Sequence, residues 1–140
     1  MVQLDKTPSR DRAQDFLRSR KIVWLATMHA AGRPHIVAVW YIWDQDAAYI
    51  VSRPDAQKVQ NLRKNPNCSL AVDDSENGHQ PVAMDGVASL DPGPLPEPAR
   101  DRYVEKYDKM LAAMSWTHQQ YFALYSQVIR FTPTKFLKVT

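Results

Sequence analysis

The stretch KIVWLATM, residues 21–28, is apolar on both of its faces. Side chains alternate across an extended chain, so Ile22, Trp24, Ala26 and Met28 point one way while Val23 and Leu25 point the other. Such a strand needs cover on two sides. A small closed or partly closed barrel covers one face with its own interior, and helices or a second subunit cover the other. These residues therefore predict a mainly β protein with peripheral helices, built as a barrel that dimerises.

On the C-terminal side, PHIVAVWYIW (residues 34–43) reads as a second strand, joined to the first by a turn containing Gly32. Asp44 to Asp46 separate it from AAYIVS (47–52), which extends the pattern to an antiparallel meander. The segment VSRPDAQKVQNLRKNP (51–66) then ends a strand and opens a short helix. Asp55 is its expected N-cap, Val59 and Leu62 its buried side, and Asn65-Pro66 its stop.

Two further strands follow, CSLAVD (68–73) and PVAMDGVASL (81–90), with polar turn residues at 75–79 between them and Gly86 marking a bulge or bend. The proline-rich DPGPLPEP (91–98) is a loop, followed by a helix over about 98–114. Tyr103, Val104, Tyr107, Met110, Leu111 and Met114 give that helix a packing face. SWTHQQYFALY (115–125) suits one more short helix, and QVIRF and KFLKV read as terminal strands interrupted at Pro133. Upstream of the opening stretch, Thr7-Pro8 reads as N-cap and N1 of a first helix. Ala13, Phe16 and Leu17 form its apolar stripe, and it ends near Arg20.

A chain of 140 residues matches one domain, residues 1–140, with a core of ordinary size. Cys68 is its single cysteine, which excludes an internal disulfide and suits a reducing cytoplasm. The first residues lack the apolar core of a signal peptide and no run reaches the length of a membrane span, so a soluble cytoplasmic protein is expected. A formal charge of +3 is spread among mixed acidic and basic residues, too weak a balance to argue for nucleic acid, and no nucleic-acid or membrane partner is expected.

The familiar nucleotide, hydrolase and metalloprotease signatures are missing, and His29, His35, His79 and His118 lack metal-ligand spacing. Cys68, at a strand start, reads as a small hydrophobe. The unexplained feature is two cations, Arg53 and Lys58, placed around a helix start whose dipole already disfavours them by about 0.3–1 kcal/mol. They are either solvated beside Asp55, or they join the Ser52 hydroxyl and the unpaired helix N–H groups in holding a phosphate. In the second strand, His35, Val37, Val39 and Tyr41 alternate with Ile36, Ala38, Trp40 and Ile42. One face suits a flat aromatic ligand, and ordinary barrel packing accounts for the pattern equally.

Taken in order, VWLATMHAAGRPHIVAVWYIWD (23–44), VSRPDAQKVQNLRKNP (51–66) and VIRFTPTKFLKV (128–139) resemble the pyridoxamine 5'-phosphate oxidase-like split-barrel superfamily. The elements GRP…VWYIWD, S.P…KV.NLRKNP and TPTK are similar to a branch described as deazaflavin (F420)-dependent enzymes. The resemblance implies a six-stranded split β-barrel that forms a homodimer, with F420 or, alternatively, FMN in a groove at the subunit interface. By position, His35, Ile36, Val37, Ala38, Val39 and Trp40 would border the cofactor ring and ribityl chain. Val51, Ser52 and Lys58 would hold its phosphate, with Arg53 and Gln57 beside them. Where pyridoxamine phosphate oxidases open and close the second-strand motif with arginine and lysine, this chain has His35 and Trp40, which disfavours a vitamin B6 phosphate substrate.

In such a site the cofactor carries the hydride chemistry and no catalytic side chain is required. The implied activity is an oxidoreductase acting on a small organic substrate, with His35, Tyr41 and Trp116 as substrate-side candidates. Arg63 and Lys64 are cations suited to the polyglutamate tail of F420. The alternative is a non-catalytic barrel that carries or senses a flavin or deazaflavin.

Overall fold

The computed structural model describes residues 10–72 and 81–137. In chain order its elements are α1 (Arg10–Ser19), β1 (Val23–Met28), β2 (Pro34–Val39), β3 (Ile42–Asp44), β4 (Ala47–Ser52), α2 (Gln57–Lys64), β5 (Asn67–Val72), β6 (Val82–Asp91), α3 (Ala99–Ala113), α4 (His118–Leu124) and β7 (Gln127–Phe136). The expected Thr7-Pro8 helix start and the 75–79 turn lie outside the described residues.

The seven strands form one antiparallel sheet in the order β2-β1-β5-β6-β7-β4-β3. Its two edge strands, β2 and β3, are consecutive in the chain and separated by Trp40 and Tyr41 alone. The sheet therefore curls until its edges meet at that corner, which is a split barrel, and counting β2 and β3 as one broken strand gives six. The expected continuous strand over 34–43 is corrected here. Tyr107 enforces the break: its hydroxyl accepts from the Tyr41 N–H at 2.8 Å and lies 2.7 Å from the Lys21 carbonyl and 2.9 Å from that of Tyr41. The Tyr41 backbone is thus paired with a helix side chain in place of a neighbouring strand.

The expected meander is also corrected, because β4 pairs with β7 and β3, not with β2. A third correction concerns Pro133, which lies inside one continuous strand, β7. Proline has no N–H to give a ladder, but the register slips at Asp85/Gly86, opposite Pro133, so the bulge absorbs the loss. Gly86 is required there, because a Cβ would meet the Phe131 ring at 2.5 Å and the Thr132 carbonyl oxygen.

The barrel interior holds Val23, Leu25, Val39, Tyr41, Trp43, Ile50, Leu70, Met84, Ile129 and Phe131, with Ala13 and Leu17 of α1 and Val59 and Leu62 of α2 packed into it. Tyr41 is anchored by a hydrogen bond from its hydroxyl to the Leu17 carbonyl. A second cluster lies outside the barrel, where Tyr103, Tyr107 and Leu111 of α3 and Tyr121 of α4 cover Ile42, Val51 and Val128.

On the outside of the barrel, α3 and α4 cover only the β3-β4-β7 side of the sheet, whereas α2 packs against β1 and β6 in the barrel core. On the other side, Trp24 is 47% exposed, Ile36 62%, Met28 39% and Val87 42%, and cross-strand register aligns Trp24 with Ala38 and Ala26 with Ile36. This is the outer apolar face that the opening stretch announces. No helix among the described residues is long and apolar enough to cross a membrane.

Candidate functional site

A pocket of about 300 Å³ opens where β2 stops. Ala38, Val39 and Trp40 form one wall and Val51 at the end of β4 another, with Lys58 of α2 beside them. Trp116, Tyr121 and Tyr125, from α4 and its flanks, complete the enclosure, with Met114 at the rim.

The local folding of α2 explains the position of Lys58. Asp55 does not cap the helix as expected; Ala56 occupies the N-cap in an extended conformation with no side-chain hydrogen bond. The first turn contains no acidic residue, so the helix dipole and its N–H groups meet no negative charge there. Buried Val59 and Leu62 fix the rotation of the helix. That rotation leaves Lys58 half-buried in the pocket wall, not exposed as a first-turn lysine ordinarily is. Burial lowers its pKa from the ordinary lysine value. It has no hydrogen-bond or carboxylate partner among the described residues.

Of the other residues expected around a phosphate, Ser52 is fully buried and its hydroxyl donates to the Arg53 carbonyl at 2.9 Å. Its oxygen retains accepting capacity, but its proton is committed. Arg53 is exposed. Gln57 donates to Asn61 at 2.7 Å, and buried Asn61 donates to the buried Thr27 hydroxyl at 2.9 Å. This polar chain ties the start of α2 to β1. Thr27 and Asn61 carry no sequence signal beyond polarity within otherwise apolar patterns.

The ring-side residues divide. Ala38, Val39 and Trp40 line the pocket, whereas His35, Ile36 and Val37 lie further back along β2 and do not. Ile36 belongs to the exposed outer face. His35 is opposite Thr27, half-buried, with a buried Nδ1 that has no hydrogen-bond partner. Of the substrate-side candidates, Trp116 lines the pocket and Tyr41 is enclosed in the barrel.

Sequence reasoning missed Met114, Tyr121 and Tyr125. Met114, expected in the helix packing face, is instead half-exposed at the pocket rim. The aromatic rings form a ladder: Trp40 stacks on Tyr107 at 4.6 Å with planes 2° apart, lies 5.7 Å from Tyr121, and Tyr121 stacks on Tyr125 at 4.5 Å. The Tyr103 and Tyr121 hydroxyls are 2.8 Å apart. Burial pushes the Tyr121 phenol up to about 12, and those of Tyr103 and Tyr107 also rise, so these hydroxyls stay protonated at neutral pH. The pocket therefore combines rigid aromatic walls, neutral hydroxyls nearby and one unpaired ammonium. That set suits a flat ring bearing an anionic tail.

Comparison with known proteins places this geometry in context. The heme oxygenase HutZ of Vibrio cholerae is 26% identical over 83 residues, a match covering 55% of this chain and 47% of that protein. The chain thus spans about half the length of the curated relative it matches. The crystal structure of HutZ, there described as a heme storage protein, superposes with a TM-score of 0.67 at 21% identity, over 92% of this chain and 94% of that one. An F420 reductase aligns with a TM-score of 0.68 at 22% identity, covering 88% and 94% of the two chains. A FAD-binding protein from Mesorhizobium loti aligns at 0.70 and 21% identity, covering 96% of each. At these identities the structures establish a shared fold. The family model described as pyridoxamine 5'-phosphate oxidase matches residues 9–140, and the chain belongs to that family.

Proposed function

We propose that the pocket binds a flavin-type cofactor, F420 in preference to FMN, and that the protein is an oxidoreductase moving a hydride between that cofactor and a small organic substrate. The observation that carries this reading is Lys58: a half-buried ammonium with no partner among the described residues, beside an uncapped helix start and aromatic walls. A phosphate there relieves the desolvation of Lys58 and meets the free N–H groups of α2. Arg53, Arg63 and Lys64 are exposed on and before the same helix, where the longer anionic tail of F420 has room to meet them. FMN requires fewer of these cations.

The bound ring supplies the two-electron chemistry. The chain's own residues position it, exclude water with the Trp40–Tyr121–Tyr125 ladder, and hold the tail at Lys58. Ligand sites commonly measure about 300–1,000 Å³, so this pocket is at the small end and leaves a tricyclic ring partly uncovered. Ala38, in its wall, is in register with Trp24 on the uncovered apolar face. A second copy packed on that face supplies both cover for the face and the missing wall, which supports a homodimer. HutZ is named for heme, but none of the described residues lining this pocket is a histidine, which favours a flavin-type ligand here.

Parallel fluorescence titrations of the apoprotein with F420, FMN and heme, repeated on Lys58→Ala, test the assignment. Tight binding of F420 or FMN that is lost in the variant is the expected result. Heme binding alone, or cofactor affinity equal in both proteins, overturns it. Turnover of the reduced cofactor against a panel of organic acceptors separates an enzyme from a carrier, because a carrier gives no oxidation above the free-cofactor rate.

A further inference from the structure

A second cavity of about 440 Å³ shares two of its walls, Val51 and Tyr125, with the pocket that holds Lys58. Its remaining surface is mostly apolar, with Leu95, Phe122 and Val128 around a space bordered by Pro94. Arg100, half-buried near the start of α3, is the one charged side chain in its lining. The Arg100 guanidinium lies over the Phe122 ring, 4.4 Å from the centroid, and so is held flat against one wall. No carboxylate among the described residues pairs with it. Lys58 lines only the first pocket and Arg100 only the second, while Val51 and Tyr125 line both.

A planar guanidinium fixed on an aromatic face and lacking a protein anion is a bidentate receptor for a carboxylate. The apolar walls facing it suit a flat hydrocarbon body, and the absence of an acidic lining residue among the described residues argues against a cationic ligand. We infer that this cavity is the substrate subsite, taking a small aromatic carboxylate whose anionic end pairs with Arg100 and whose ring lies against Phe122 and Tyr125. Tyr125 and Val51, which line both spaces, then mark the shared boundary where substrate and cofactor come into direct contact. This assignment of substrate class rests on the cofactor reading of the first pocket, whereas binding at Arg100 does not.

The probe is benzoate, with benzamide as its neutral counterpart, titrated by calorimetry into the full-length protein with and without FMN or F420. Benzoate is expected to bind saturably, and benzamide at least tenfold more weakly. Arg100→Leu should lose benzoate affinity at least tenfold while keeping its cofactor affinity, and Arg100→Lys should recover part of it. Lys58→Ala should do the reverse, retaining benzoate and losing cofactor. With cofactor bound, benzoate should shift the cofactor's visible absorption, because both touch Tyr125. Benzoate binding that is absent, or unchanged in a folded Arg100→Leu protein, overturns the subsite. An unaltered cofactor spectrum on saturation overturns the shared boundary. Arg100-dependent benzoate binding in a protein that takes neither cofactor preserves the carboxylate site and rejects the cofactor reading instead.

Discussion

Lys58 illustrates how a single side chain signals a ligand. It is half-buried in the pocket wall, and its pKa is lowered by that burial. Charge-assisted hydrogen bonds to phosphate are worth about 1.5–3 kcal/mol, so Lys58→Ala should weaken cofactor binding by roughly 10- to 150-fold, read from titration midpoints. The thermal midpoint of the apoprotein should barely move, because the lost group has no partner among the described residues. The pH dependence has a definite sign. Phosphate binding needs the protonated amine, and in the free protein that form is disfavoured, so affinity should fall as pH rises and start falling below the 10.5 of an ordinary lysine. Dissociation constants measured across this range should show the decline in the wild type, while Lys58→Arg, which stays charged, keeps its affinity.

At the level of elements, the break between β2 and β3 positions the pocket, and the bulge at Gly86 lets β7 run unbroken. Gly86→Ala forces a methyl group into the Phe131 ring and the Thr132 carbonyl. Overpacking of this kind costs about 1–3 kcal/mol, so the variant should show a lowered denaturation midpoint with cofactor affinity retained once folded. The bulge was legible because a glycine inside an apolar strand has few other uses. The break was not. From Tyr41 to Asp44 every residue is buried, because the barrel interior and α3 cover opposite faces, and the alternation that would betray a strand end disappears. Pro133 misled for the opposite reason, since its penalty is absorbed by a register slip on a neighbouring strand that no local pattern reports. Part of the candidate site was legible where cations sat oddly at a helix start and in the Ala38, Val39 and Trp40 segment expected beside the cofactor ring. Met114, Tyr121 and Tyr125 were hidden because aromatic and methionine positions at helical spacing look the same whether they face a core or a cavity.

For the molecule as a whole, the uncovered sheet face carries the main prediction. Trp24→Asp places a carboxylate on that face while leaving every pocket-lining side chain in place. A folded monomer by sedimentation and circular dichroism, with cofactor affinity much reduced, is the expected outcome. A variant that remains dimeric would show that the subunits meet elsewhere. The sheet order has a consequence in time as well as in space. The β3-β4 hairpin joins the rest of the sheet through β7 alone, and β7 pairs with β4, some 75 residues earlier, across Val51↔Val128 and its neighbours. Such long-range pairing slows folding, because the loop must close before the contacts reward it. A chain growing on the ribosome therefore holds two separate fragments of sheet, one with β1, β2, β5 and β6 and one with β3 and β4, until β7 emerges to join them. During that interval the apolar strands of both fragments are exposed, which makes the nascent chain a natural client for chaperones.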